Sequence, residues 1–152
     1  MKSLLFVLFI ASGRCVFAQS LAFVFLHHRT DKAELPKKRL DSIMDGHMAN
    51  IQKMAKDGRL LVAGPFDGGG GIFIFSSSSL SEVKQWLNDD PGVRANRWTV
   101  EVQLCRWRIG QPRLAKEPFE MTEYHFIRFV PYIAKFNIND VPELLKKHDD
   151  YL

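Results

Sequence analysis

The sequence predicts an α+β fold in which two amphipathic helices cover one face of a four-stranded antiparallel sheet. Three observations carry that expectation. Dense apolar runs of strand length occur at residues 21–26 and 72–75, a three-and-four spaced apolar stripe lies between them, and a strict two-residue alternation follows at residues 98–105. A chain of 152 residues holds one ordinary domain and at most a fragment of another. Its 46% apolar and 25% charged residues exclude a disordered, collagenous or coiled-coil polypeptide.

The N-terminus reads as a leader. Met1-Lys2-Ser3 precedes eight apolar residues (4–11), and Val16-Phe17-Ala18 stands before Gln19, which predicts a signal peptide over residues 1–18. Eight apolar residues fall far short of the roughly 20 needed to span a bilayer. The expectation is therefore export, periplasmic or secreted, with no membrane anchor once the leader is removed. Loss of Lys2 and Arg14 leaves 19 basic against 17 acidic residues, a charge of +2 that favours no polyanion, so no nucleic-acid partner is expected. Cys15 leaves as well. Cys105 then stands alone, excluding an intramolecular disulfide, and reads as a small buried apolar residue.

Residues 21–26 read as a central strand. Residues 30–36 are turn-like, and Pro36 suits an early helical position. Leu40, Ile43, Met44, His47, Met48, Ile51, Met54 and Ala55 form the buried stripe of a first helix, closed by Asp57 and Gly58. Residues 59–63 are a short strand ending at Gly64-Pro65. Four glycines, Gly68 to Gly71 in sequence, turn the chain into the strand at 72–75. A phosphate cradle would need a helix directly after the glycines, and a strand follows instead. Ser79-Leu80-Ser81-Glu82 has capping-box spacing for a second helix, whose buried side is Val83, Trp86 and Leu87 and which Pro91-Gly92 stops. Trp98, Val100, Val102 and Leu104 then alternate with Thr99, Glu101, Gln103 and Cys105.

This strand–helix–strand–strand–helix–strand order is the split βαβ pattern of a ferredoxin-like domain, residues 21–107. Both faces of its strands are apolar, so the sheet face away from the helices needs cover from a partner subunit or a second domain. Residues 108–120, with Gly110, Pro112 and Pro118, read as a linker. Residues 124–130 are strand-like and about 140–151 helix-like, so residues 121–152 form either a partial second repeat or a C-terminal extension. The spacing from Phe23 to His47 is 24 residues and from Phe126 to His148 is 22. On the repeat reading His148 corresponds to His47. The polypeptide is then expected to continue beyond Leu152 as a tandem repeat, or else to pair through the sheet face as a homodimer.

Two residues stand out for chemistry. His47 lies on the buried stripe of the first helix, and Asp90 lies just beyond the second. Read singly, each is as well explained by structure: a core histidine with one hydrogen bond and a helix-end aspartate. Both helices lie on one sheet face, however, which lets them approach. Asp45-Gly46-His47-Met48, the segment Gly58-Arg59-Leu60-Leu61-Val62-Ala63-Gly64-Pro65 and the pair Asp90-Pro91 together resemble the YCII-related (YciI-like) family over residues 21–107. The resemblance implies a ferredoxin-like fold of the dimeric α/β-barrel type, with a histidine–aspartate dyad at His47 and Asp90. Such a dyad implies acid–base catalysis on a small organic molecule by a hydrolase, lyase or isomerase. The alternative is a non-catalytic small-molecule-binding or stress-associated module. Ser76, Ser77, Ser78 and Ser79 lack a nucleophile-elbow pattern and read as turn and capping residues. His27 and His28, adjacent on a strand, point to opposite faces and cannot chelate one ion, so neither a metal nor a cofactor is expected.

Overall fold

A computed structural model describes residues 21–107, 110–114, 117–118, 121–128 and 137–151. The leader expected over residues 1–18 lies outside the described residues. The chain divides into two compact units, Met1–Phe119 and Glu120–Leu152.

The first unit runs β1 (Leu21–His28), α1 (Lys37–Lys56), β2 (Leu60–Pro65), β3 (Gly71–Phe75), α2 (Leu80–Asn88), α3 (Pro91–Arg94) and β4 (Trp98–Cys105). The sheet order is β2-β3-β1-β4 with every neighbouring pair antiparallel, the ferredoxin-like arrangement. Val24 sits opposite Phe73 on one side and Val102 on the other, so even-numbered β1 residues share the face that meets the helices. There Ala22, Val24, Leu26, Phe73 and Phe75 pack with Met54 of α1, Leu60 of β2, and Val83 and Leu87 of α2. The opposite face carries Phe23, Phe25, Ile72 and Ile74, apolar as the sequence indicates, with His27 Nε2 bonded to Glu101 at 2.7 Å beyond them. Among the described residues no helix is long and apolar enough to cross a membrane.

Several local expectations need correction. Met48 is half-exposed (51%), because the turn from position 47 to 48 carries it off the sheet-facing stripe. Leu104, expected on the buried side of β4, is also half-exposed, since β4 is an edge strand and its packed residues end at Val102. The capping box closes on one side only. Ser79 Oγ accepts from the Glu82 N–H, but the Glu82 carboxylate takes the Ser77 hydroxyl at 2.8 Å, and the Ser79 N–H is satisfied by Ser77 Oγ. Pro91 does more than stop α2, because it opens α3 at a position where its missing N–H has no helical partner to lose. Cys105 is only half-buried.

Beyond β4, Gln111, Pro112 and Leu114 of the expected linker line a cavity of about 190 Å³ with Leu21, Gly58, Leu61 and Ser76. That stretch packs on the domain. In the second unit a short 3-10 turn (Ile138–Asp140) leads into α4 (Val141–Asp150), the expected helix. The strand expected at 124–130 does not form over residues 124–128, and 129–130 lie outside the described residues. A strand needs a neighbour for its N–H and C=O groups, and no strand is described in this unit. α4 presents Val141, Leu144 and Leu145 on one stripe without burying any of them.

Candidate active site

His47 occupies the middle of α1, 6% exposed, with its ring centroid 4.6 Å from that of Trp98 and 6.1 Å from that of Phe73. Two glycines bring the aspartate to it. A Cβ on Gly46 would come within 3.0 Å of Pro91 Cγ, so the missing side chain lets α3 abut α1 one residue before His47. A Cβ on Gly92 would lie 2.2 Å from Trp98 Cζ3, so that glycine lets the indole cross the start of α3 and reach the imidazole.

Asp90 is the N-cap of α3 and is wholly buried. His47 Nδ1 lies 2.9 Å from each carboxylate oxygen. Asn50 Nδ2 donates to Oδ2 at 3.0 Å, while the backbone N–H groups of Gly92 and Val93 donate to Oδ1 at 2.9 and 3.1 Å. Asn50 and both amides are donors, and each bond they give is strongest to an ionised carboxylate. Burial on its own would raise the Asp90 pKa. The bonds from His47 and Asn50, the adjacent histidine charge and the Val93 N–H together outweigh burial and hold it below the usual carboxylate value. An ionised Asp90 requires a proton on His47 Nδ1, which leaves Nε2 as the bare nitrogen of the neutral ring. Every buried side-chain nitrogen and oxygen among the described residues has a hydrogen-bond partner. Nε2 has no such partner among those residues, so it keeps access to solvent.

A model of the YCII-related domain matches residues 22–108. The chain belongs to the YCII-related domain family. No curated protein matches the sequence. Among solved structures it is similar to 5-chloro-2-hydroxyhydroquinone dehydrochlorinase (TftG) from Burkholderia phenoliruptrix AC1100, determined in complex with 2,5-dihydroxybenzoquinone. The likeness is 22% in identity over 59% of this chain and 95% of that one, with a TM-score of 0.45.

In this YCII-related domain the two residues singled out from sequence, His47 and Asp90, meet across 43 positions of chain. His27 and His28 do point apart: His27 bonds Glu101 on the face away from the helices, and His28 meets Lys32 at 3.0 Å on the helix side. Ser77 and Ser79 serve the start of α2. His148 lies exposed in the last turn of α4. Sequence reasoning did not single out Asn50 or the glycine pair Gly46 and Gly92. Asn50 sits three residues after His47, a spacing that puts both on one helix face.

Proposed function

We propose that this domain is a small acid–base enzyme acting on a small organic molecule, with His47 Nε2 as the proton-transferring atom and Asp90 as its positioning carboxylate. The observation that supports it is the 2.9 Å contact between His47 Nδ1 and a wholly buried carboxylate held by three further donors. That arrangement fixes the tautomer and the ring orientation while leaving one basic nitrogen open. A base so placed removes a proton from a carbon acid or from water and returns it to a leaving group or a neighbouring carbon, the chemistry of a lyase, hydrolase or isomerase. General base catalysis of this kind contributes on the order of 10²–10⁴ in rate.

The reading extends to two further points. The leader expected over residues 1–18 puts this chemistry outside the cytoplasm, and N-terminal sequencing of the exported protein tests it. Phe25 and Ile74 are already buried on the sheet face away from the helices, whereas Phe23 and Ile72 are only half-buried there; that face is the surface through which two domains would pair, and light scattering tests that. For the chemistry itself the experiment is a substrate-panel screen of wild type against His47→Ala and Asp90→Asn. Loss of turnover in both variants, with folding retained, supports the dyad. Equal turnover in wild type and His47→Ala refutes it.

A further inference from the structure

Two cations at one end of the sheet have no acid partner among the described residues. Arg97 is 8% exposed, and its Nη1 donates to the Ala33 carbonyl in the β1–α1 loop at 2.8 Å. Lys32, the residue before Ala33, is half-buried and donates from Nζ to His28 Nε2 at 3.0 Å. A lysine ammonium can only donate, so His28 takes this contact through a bare ring nitrogen. His28 is the cross-strand partner of Trp98, and Trp98 follows Arg97. The circuit His28, Lys32, Ala33, Arg97, Trp98 therefore closes at one end of the sheet. Gly69 belongs to it too: a Cβ there would come within 3.0 Å of His28 Cδ2, so the glycine turn makes room for that ring.

The nearby acids are engaged elsewhere or remain outside. Asp31 is held by Arg29 through two bonds of 3.0 and 2.8 Å, and Glu34 is exposed. Among the described residues no carboxylate stands within ion-pair distance of Arg97 or Lys32. The Arg97 nitrogens not bonded to Ala33 keep contact with water, and the planar fork of a guanidinium suits a carboxylate held through two parallel bonds. With Nη1 committed to Ala33, the edge formed by Nη2 and Nε is the one left to accept such a ligand.

We propose that Arg97 and Lys32 form a binding site for a small organic carboxylate at this end of the sheet. Trp98 links the two places, its backbone following Arg97 and its indole lying against His47. The substrate of the proposed acid–base reaction then carries a carboxylate anchored at Arg97, with its carbon skeleton running along Trp98 toward Nε2. That assignment of substrate class rests on the reading of the dyad. The anion site itself does not.

The test is a calorimetric titration of the full chain with sodium benzoate at constant ionic strength. Saturable binding is expected in wild type, weakened about tenfold or more in Arg97→Gln and in Lys32→Gln, since each removes a charge-assisted bond. His47→Gln should bind within about twofold of wild type, because it leaves both cations in place. Arg97 also tethers the β1–α1 loop, so Arg97→Lys, which keeps the charge and loses the fork, serves if the glutamine variant does not fold, and intermediate binding is expected. No saturable binding to wild type, or undiminished binding in both glutamine variants, overturns the proposal. Benzoate binding as expected together with unchanged turnover in His47→Ala would retain the anion site and refute only the dyad reading.

Discussion

Replacing Asp90 by asparagine tests the dyad at the atom on which it depends. The substituted side chain keeps one oxygen, which can still cap α3 through the Gly92 and Val93 amides. The other oxygen becomes an NH₂ group facing the Asn50 NH₂ at 3.0 Å and the His47 Nδ1–H at 2.9 Å. Two bonds to a charged acceptor are lost, each worth about 1.5–3 kcal/mol, and three donor groups are left facing one another. The loss expected is about 3–5 kcal/mol of folding free energy, the range found when one partner of a buried pair is removed. His47 can relieve part of it by moving its proton to Nε2, so that Nδ1 accepts from the new NH₂. The outward nitrogen then becomes a donor, and the base is gone even in molecules that fold. Urea unfolding measures the first effect, and long-range ¹H–¹⁵N correlation of the imidazole reads the second. A loss below about 1 kcal/mol, with the proton still on Nδ1, would refute the reasoning.

Because the folded-state pKa of Asp90 lies below its ordinary value, its contribution to stability is complete above the unfolded value and disappears as pH falls through the folded one. Asn50→Ala removes one of the bonds that depress it, so the acid-unfolding midpoint should move to higher pH in a circular dichroism titration, and an unchanged midpoint would count against a role for Asn50. Gly70→Ala should cost more than about 2 kcal/mol in urea unfolding, since φ is 79° there and a Cβ would stand 2.1 Å from the Leu26 carbonyl oxygen. Met48→Gln should change stability by no more than about 0.5 kcal/mol, because half of that side chain already faces water.

What the sequence made legible follows from periodicity. The strands and the α1 stripe obey two simple repeats, so their faces could be read, and His47 fell on the right one. Met48 was misassigned because a stripe drawn at three-and-four spacing is wider than the surface a curved sheet covers. The half-formed capping box was invisible for another reason: Ser77, two residues earlier, competes for both Ser79 and Glu82. Asp90 read as an end signal for α2, and nothing local showed that the same carboxylate starts the next helix. The run at 124–130 has strand composition, but composition does not supply the neighbour a strand requires.

Asp90 caps α3 and holds His47 with one carboxylate, and this ties the orientation of the base to the local fold. A flip of the imidazole about its Cβ–Cγ bond would turn a C–H toward Asp90 and break the 2.9 Å contact, so one of the two ring orientations is selected. The carboxylate cannot turn to follow, because the Gly92 and Val93 amides fix Oδ1 and Asn50 fixes Oδ2. Asn50 in turn shares a helix face with His47, so one rigid element presents both the base and a clamp on its partner. The direction of Nε2 is therefore set by backbone geometry at Gly46, Pro91 and Gly92 rather than by the imidazole's own torsions. Adding a methyl group at Gly92 would push on the Trp98 ring, which lies against His47, and would thereby move the base without touching either member of the dyad.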